Sequence, residues 1–113
     1  MLPTGRQLEI VSGPARAVAT EVGAGLRAFE FGGKPYVETF DDDRRPPRGA
    51  GTVLVPWPNR TRRGRWTWQD QPQQLALTEP AAGNAIHGLL RHTLYRVRVH
   101  AAADAVVLHA VIP

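Results

Sequence analysis

Two short stretches of the sequence hold residue types that could bind a polar ligand. In the first, residues 56–60 (PWPNR), Asn59 and Arg60 follow Trp57, whose ring could stack against a sugar and is flanked by prolines. Prolines stiffen such a loop, so Arg60 would lose little entropy when its planar N–H donors bind hydroxyl or carboxylate oxygens. A surface arginine without a ligand is the competing interpretation, since most arginines are exposed.

The second stretch, residues 84–89 (NAIHGL), places His87 between an apolar residue and Gly88. A partly buried histidine in a loop can donate a hydrogen bond to a ligand oxygen, or move protons near neutral pH. A structural histidine bonded to a backbone carbonyl is the alternative.

His92 follows His87 at a spacing that does not match the i, i+4 pair of a zinc helix, and the chain has no cysteine. No metal site is therefore predicted.

The segment between these stretches predicts a β-hairpin. Residues 65–68 (RWTW) put Trp66 and Trp68 on one face of a strand, and residues 73–77 return after a turn at 70–72. Such a hairpin can bring an arginine and a histidine from its two flanking loops to one side of a sheet. We expect the two hairpin tryptophans to pack in the core or at an interface.

The remaining predicted elements are short strands separated by turns. Eleven Gly and ten Pro fall between short apolar runs, which is typical of an all-β protein. Gly32 and Gly33 supply the positive φ angles of a tight hairpin turn. The nearly continuous apolar run at 105–112 indicates a strand buried on both faces. The other predicted strands are 8–11, 16–22, 26–31, 36–39, 52–55 and 95–100. The predicted fold class is all-β, built from antiparallel strands and hairpins.

The amino-acid composition limits the classes of protein to which this chain could belong. A chain of 113 residues with 42% hydrophobic residues suits one globular domain. No apolar run is long enough to span a membrane, and the absence of cysteine suits a reducing cytoplasm. The net charge is +4, and all but Lys34 of the 14 basic residues are arginine. Because these arginines are mostly scattered and accompany no RNA- or DNA-binding signature, a nucleic-acid partner is not predicted.

Taken in order, PWPNR, GRWTW, QL, LTE and NAIHGL resemble the amino-terminal part of the aldose 1-epimerase (galactose mutarotase) family, and VGAGLRAFEFGGKPYV is similar to its opening meander. The resemblance extends from about residue 8 to residue 98. It implies part of a β-supersandwich fold, and interconversion of the α and β anomers of an aldohexose without a cofactor. By motif, Asn59 and Arg60 match the family's substrate-contacting Asn-Arg pair, and His87 matches its first site histidine.

The resemblance also implies what lies outside the chain. The family's acid histidine belongs to a later His-Pro-Tyr-type motif, and its base glutamate lies near the carboxyl end. Neither motif occurs in this sequence. We therefore expect residues 1–113 to be the amino-terminal part of one domain, truncated at its carboxyl end, with no catalytic residue of its own and no activity alone. Its partners would be the sugar and the remaining carboxyl-terminal part of the same protein. A non-catalytic carbohydrate-binding module on the same fold is the alternative.

Overall fold

The computed structural model describes residues 1–101 and 104–113. These residues form β-strands and one 3₁₀ turn, Pro47–Gly49, and they divide into two compact units. Unit 1 comprises Met1–Val53 and Leu90–Pro113, and unit 2 comprises Leu54–Leu89. The strands of unit 1 are β1 (Gln7–Ser12), β2 (Ala15–Thr20), β3 (Leu26–Phe31), β4 (Lys34–Pro35), β9 (Arg96–Ala101) and β10 (Ala105–His109). Those of unit 2 are β5 (Arg60–Arg62), β6 (Arg65–Trp68), β7 (Gln71–Gln74) and β8 (Asn84–Ile86).

Unit 1 is built on an antiparallel sheet with the order β1-β2-β3-β4. Alternation along the strands buries Leu8, Val18 and Ala28, which form part of the core. The turn between β3 and β4 consists of Gly32 and Gly33, with φ angles of 58° and 78°. The predicted glycine hairpin turn is therefore confirmed.

A second antiparallel pair, β9 with β10, completes unit 1. The residues before β9 bond to the loop after β2, where the Tyr95 N–H donates to the Glu21 carbonyl at 2.9 Å. Tyr95 is buried, and burial raises the pKa of its hydroxyl. The same loop is closed by Thr20, whose buried hydroxyl accepts a hydrogen bond from the Gly25 N–H at 3.2 Å.

Unit 2 contains two separate antiparallel pairs. β6 and β7 form a hairpin in which Trp66 lies opposite Gln73 and Trp68 lies opposite Gln71. β5 pairs with β8, which follows it at a distance along the chain, so that Thr61 lies opposite Ala85. Ala85 and Ile86 of this second pair are buried.

The described residues confirm the predicted all-β class and antiparallel pairing, with differences at particular elements. The predicted strand 36–39 is replaced by the short β4, whose Pro35 has no N–H to extend a ladder. Residues 52–55 form no strand. They make isolated backbone hydrogen bonds instead, such as the one from the Val53 N–H to the Gly23 carbonyl at 3.2 Å. The hairpin turn lies at Gln69 and Asp70, one residue earlier than predicted.

Two expectations about burial are not met within the described residues. Strand β10 ends at His109 and alternates between exposed and half-buried residues, so it is not buried on both faces. The hairpin tryptophans are also exposed, Trp66 at 45% and Trp68 at 60%, which excludes packing in the core of the described chain. The isolated two-stranded pairing of β6 with β7 accounts for this exposure, because it offers no second layer to cover them. Packing of these rings at an interface stays a prediction.

Across the described ranges, no helix has the length and apolar character needed to cross a membrane.

Candidate functional site

The candidate site lies at one end of the β5–β8 pair in unit 2. Asn59 immediately precedes β5 and His87 immediately follows β8, and the antiparallel register places Arg60 opposite Ile86. The ends of the two strands therefore bring Asn59 and His87 together. The His87 N–H donates to the Asn59 carbonyl at 2.9 Å, and the Asn59 N–H donates to His87 Nδ1 at 2.9 Å.

This exchange of hydrogen bonds assigns the tautomer of the neutral His87 ring. A backbone N–H can only donate, so Nδ1 must be the acceptor and the ring proton lies on Nε2. The Nε2–H group is then a donor, which suits a hydroxyl or ring oxygen of a ligand. The alternative from the sequence, a histidine bonded to a backbone carbonyl through its ring, does not describe this contact, because the ring accepts from a backbone N–H.

Both residues of this pair have left-handed backbone conformations, with φ of 65° at Asn59 and 59° at His87. Asparagine and histidine are among the residues that enter this region more readily than most. Gly88 follows with φ of 77°, and a Cβ there would overlap the Val55 backbone. The close approach allows the Leu89 N–H to donate to the Val55 carbonyl at 2.8 Å. His87 is thus held by backbone contacts on both sides.

Trp57 is tied to the same point by its side chain. Its Nε1–H donates to the Asn59 carbonyl at 3.1 Å, so that this carbonyl accepts from both Trp57 and His87. The ring is half-buried rather than fully exposed. The Trp57 side chain therefore helps to fix the position of the Asn59 backbone.

Arg60 forms a bidentate ion pair with Glu79. Its Nε–H donates to Oε1 at 2.8 Å and its Nη2–H donates to Oε2 at 2.9 Å. The side chains are 53% and 24% exposed, respectively. The hydrogen bonds from Arg60 hold the pKa of Glu79 below its usual value, and the same bonds raise the pKa of Arg60. Glu79 is therefore a carboxylate at neutral pH.

Asn84 holds Glu79 in place. The Glu79 N–H donates to the Asn84 carbonyl at 2.9 Å, the Asn84 N–H donates to the Glu79 carbonyl at 3.2 Å, and Asn84 Nδ2 lies 3.4 Å from Glu79 Oε1. Glu79 ends the LTE stretch and Asn84 begins the NAIHGL stretch, but the sequence assigns neither residue a role. A pairing across 19 residues has no signal in sequence spacing; the one hint in the sequence is that Glu79 is an acid lying between the two candidate stretches.

The structure places the three predicted residues within one strand pair and its ends. Asn59 Oδ1 accepts from the Arg60 N–H at 2.9 Å, which leaves the Asn59 Nδ2 donors for a ligand. Together with His87 Nε2 and the guanidinium hydrogens not used by Glu79, the site is rich in donors. Hydroxyl and ring oxygens are suitable acceptors for such a set. In residues 1–101 and 104–113, no group of three acidic or histidine side chains could hold a metal ion.

Comparison with known proteins reveals similarity over nearly the whole chain. A sequence model of the family "Aldose 1-epimerase" matches residues 6–113. The "Uncharacterized protein YihR" of Escherichia coli (strain K12) is 34% identical over 110 residues, which is 97% of this chain. The crystal structure of a "Putative aldose 1-epimerase" from Escherichia coli K12 superimposes with a TM-score of 0.77 over 91% of this chain, at 18% identity. The chain spans only 35% of the length of each of these two proteins.

Proposed function

Because the chain belongs to the aldose 1-epimerase family, we propose that its complete protein interconverts the α and β anomers of an aldohexose. In this proposal Asn59, Arg60 and His87 contact the sugar. The observation that carries the proposal is the reciprocal bonding of Asn59 with His87, which directs the ring proton to Nε2 next to a strand that begins with Arg60. The solved structure of similar fold supports the architecture alone, at 18% identity.

The chemistry divides between holding the sugar and moving its protons. Anomer exchange needs a base that takes the proton from the anomeric hydroxyl and an acid that protonates the ring oxygen. Glu79 is an unsuitable base because its carboxylate is bonded to Arg60 through both oxygens. We therefore assign binding and orientation of the sugar to residues 1–113, as the amino-terminal part of a single domain. The acid and base belong to a carboxyl-terminal part of the same protein.

Mutarotation of the full-length gene product tests this proposal. We expect Arg60→Ala to lower kcat/KM for a hexose by about 10- to 100-fold, since a hydrogen bond from a charged group contributes about 1.5–3 kcal/mol. His87→Asn should lower it by about 2- to 10-fold, since a hydrogen bond from a neutral ring contributes about 0.5–1.5 kcal/mol. The asparagine variant retains a side-chain acceptor and tolerates the left-handed backbone, but it lacks the Nε2 donor. Arg65→Ala, on the hairpin strand β6, is the matched control and should leave the rate unchanged.

Polarimetry after dissolving one pure anomer measures the rate directly. Unchanged rates in both site variants would refute the assignment of Arg60 and His87.

A different result would support the alternative function, a carbohydrate-binding module without catalysis. If the wild-type protein binds hexoses, with saturable changes in tryptophan fluorescence, but does not accelerate mutarotation, the chain belongs to a carbohydrate-binding module. The bidentate contact of Arg60 with Glu79 favours this alternative, because it makes Glu79 unsuitable as a base.

A further inference from the structure

We propose that Glu79 is a positioning residue, which sets the orientation of the Arg60 guanidinium toward the sugar. The inference rests on the proposed function, because it concerns how that site binds its substrate. Glu79 lies in the LTE stretch of the resemblance, which gives it no role, and its assignment depends on contacts between side chains that lie 19 residues apart.

The geometry of the ion pair fixes one edge of the guanidinium. Glu79 takes the edge formed by Nε and Nη2, at 2.8 and 2.9 Å. Two parallel bonds prevent rotation of the planar group, which a single contact would permit. Both Nη1 hydrogens and one Nη2 hydrogen then lie on the remaining edges. A ligand oxygen would meet donors whose directions are already set, so less side-chain entropy is lost on binding.

Glu79 is itself anchored to the strand pair that carries the site. Its backbone exchanges two hydrogen bonds with Asn84, and Asn84 Nδ2 approaches its carboxylate at 3.4 Å. Asn84 is the first residue of β8, which pairs with the strand that begins at Arg60. The contacts therefore close a ring through Arg60, Glu79, Asn84 and back along the β5–β8 ladder. An isolated surface ion pair has no such anchor and contributes little, because both side chains must be ordered from a mobile state.

The pairing is also selective. Four arginines occur between residues 60 and 65, and only Arg60 of these forms an ion pair within the described parts of the chain. The carboxylate of Glu79 therefore neutralises and orients the arginine that directly follows Asn59, rather than balancing the cluster as a whole. Its lowered pKa keeps this partner ionised throughout the neutral range.

A double-mutant cycle on the full-length gene product tests whether Glu79 acts through Arg60. The four proteins are the wild type, Glu79→Gln, Arg60→Ala and the double variant. We expect Glu79→Gln to weaken hexose affinity about tenfold, equivalent to about 1.4 kcal/mol, and to raise KM with little change in kcat. In the Arg60→Ala background the same substitution should have no further effect, since the group that it positions is gone. Asp70→Asn removes a charge from an exposed turn of unit 2 and is the matched control.

Each result identifies what has failed. If Arg60→Ala leaves affinity unchanged, the sugar contact in the proposed function is wrong. If Arg60→Ala weakens binding and Glu79→Gln does not, the positioning role is overturned while the proposed function stands. If Glu79→Gln costs as much in the Arg60→Ala background as in the wild type, Glu79 contributes independently of Arg60, and the inference is again overturned. Unfolding midpoints of all four proteins show whether a loss of affinity is merely a loss of fold.

Discussion

The contact between Gly88 and the Val55 backbone offers a test of how the histidine loop is held. Gly88 and Gly83 both lie in unit 2 and both have left-handed backbones, with φ of 77° and 69°. They differ in their surroundings. A Cβ at Gly83 would meet nothing within 4 Å, whereas a Cβ at Gly88 would overlap the nitrogen, carbon and oxygen of Val55. Alanine substitution at the two sites therefore separates backbone strain from steric overlap.

The expected magnitudes follow from these two terms. An alanine in the left-handed region costs about 1–2 kcal/mol, offset by about 0.4–1 kcal/mol because alanine restricts the unfolded chain more than glycine. Gly83→Ala should thus destabilise unit 2 by roughly 0–1.5 kcal/mol. Gly88→Ala adds about 1–3 kcal/mol for overpacking, and about 1 kcal/mol if the Leu89 N–H loses its bond to Val55. We expect a difference of about 2–4 kcal/mol between the variants.

Urea unfolding monitored by tryptophan fluorescence measures this difference. All three tryptophans lie in unit 2, so their emission reports on the unit that contains both glycines. The Gly88→Ala variant should also lose hexose affinity, because the displaced backbone carries His87 with it, whereas Gly83→Ala should not. Equal unfolding midpoints for the two variants would refute the reasoning, because the Val55 backbone would then move aside without any loss of stability.

Three further predictions concern single contacts. Thr20→Val should destabilise the protein by about 1–3 kcal/mol, as measured by urea unfolding, because the buried Gly25 N–H loses its acceptor. Asn59→Ala should destabilise more than Asn59→Gly in the same assay, since alanine tolerates φ of 65° poorly; equal losses would contradict this. Glu79 should stabilise the fold above the ordinary glutamate pKa, and this contribution should be lost as the pH falls through its lowered folded-state pKa. Acid unfolding curves of wild type and Glu79→Gln should converge there, and parallel curves would exclude the effect.

Local sequence was sufficient for the elements that depend on local chemistry. The pair Gly32-Gly33 predicted a tight turn because few other residues adopt two successive positive φ angles, and the structure has that turn. The hairpin at β6 and β7 followed from the alternation of Trp66 and Trp68, although its turn is shifted to Gln69 and Asp70. The expectation that this hairpin brings the arginine and histidine loops together agrees with the pairing of β5 with β8.

The remaining features depend on contacts between distant parts of the chain. Nothing in residues 60–62 alone predicts a strand, and β5 forms because its backbone finds β8. The bidentate pairing of Arg60 with Glu79 is equally non-local, since three other arginines lie nearby in sequence. The exposure of Trp66 and Trp68 was not foreseen, because hydrophobic alternation shows which face is apolar but not whether another layer covers it. That Asn59, Arg60 and His87 contact a sugar stays a prediction.

The pairing of β5 with β8 has a consequence for the order in which unit 2 folds. The β6–β7 hairpin contains about half of the residues that separate Arg62 from Asn84. Once the hairpin forms, the unstructured loop that β5 and β8 must close is about half as long, which lowers the entropic cost of closure by roughly 0.6 kcal/mol. We therefore expect the hairpin to form early and the β5–β8 ladder to follow. Since Asn59 and His87 meet only across that ladder, the donors of the candidate site would be among the last groups of the unit to reach their native positions.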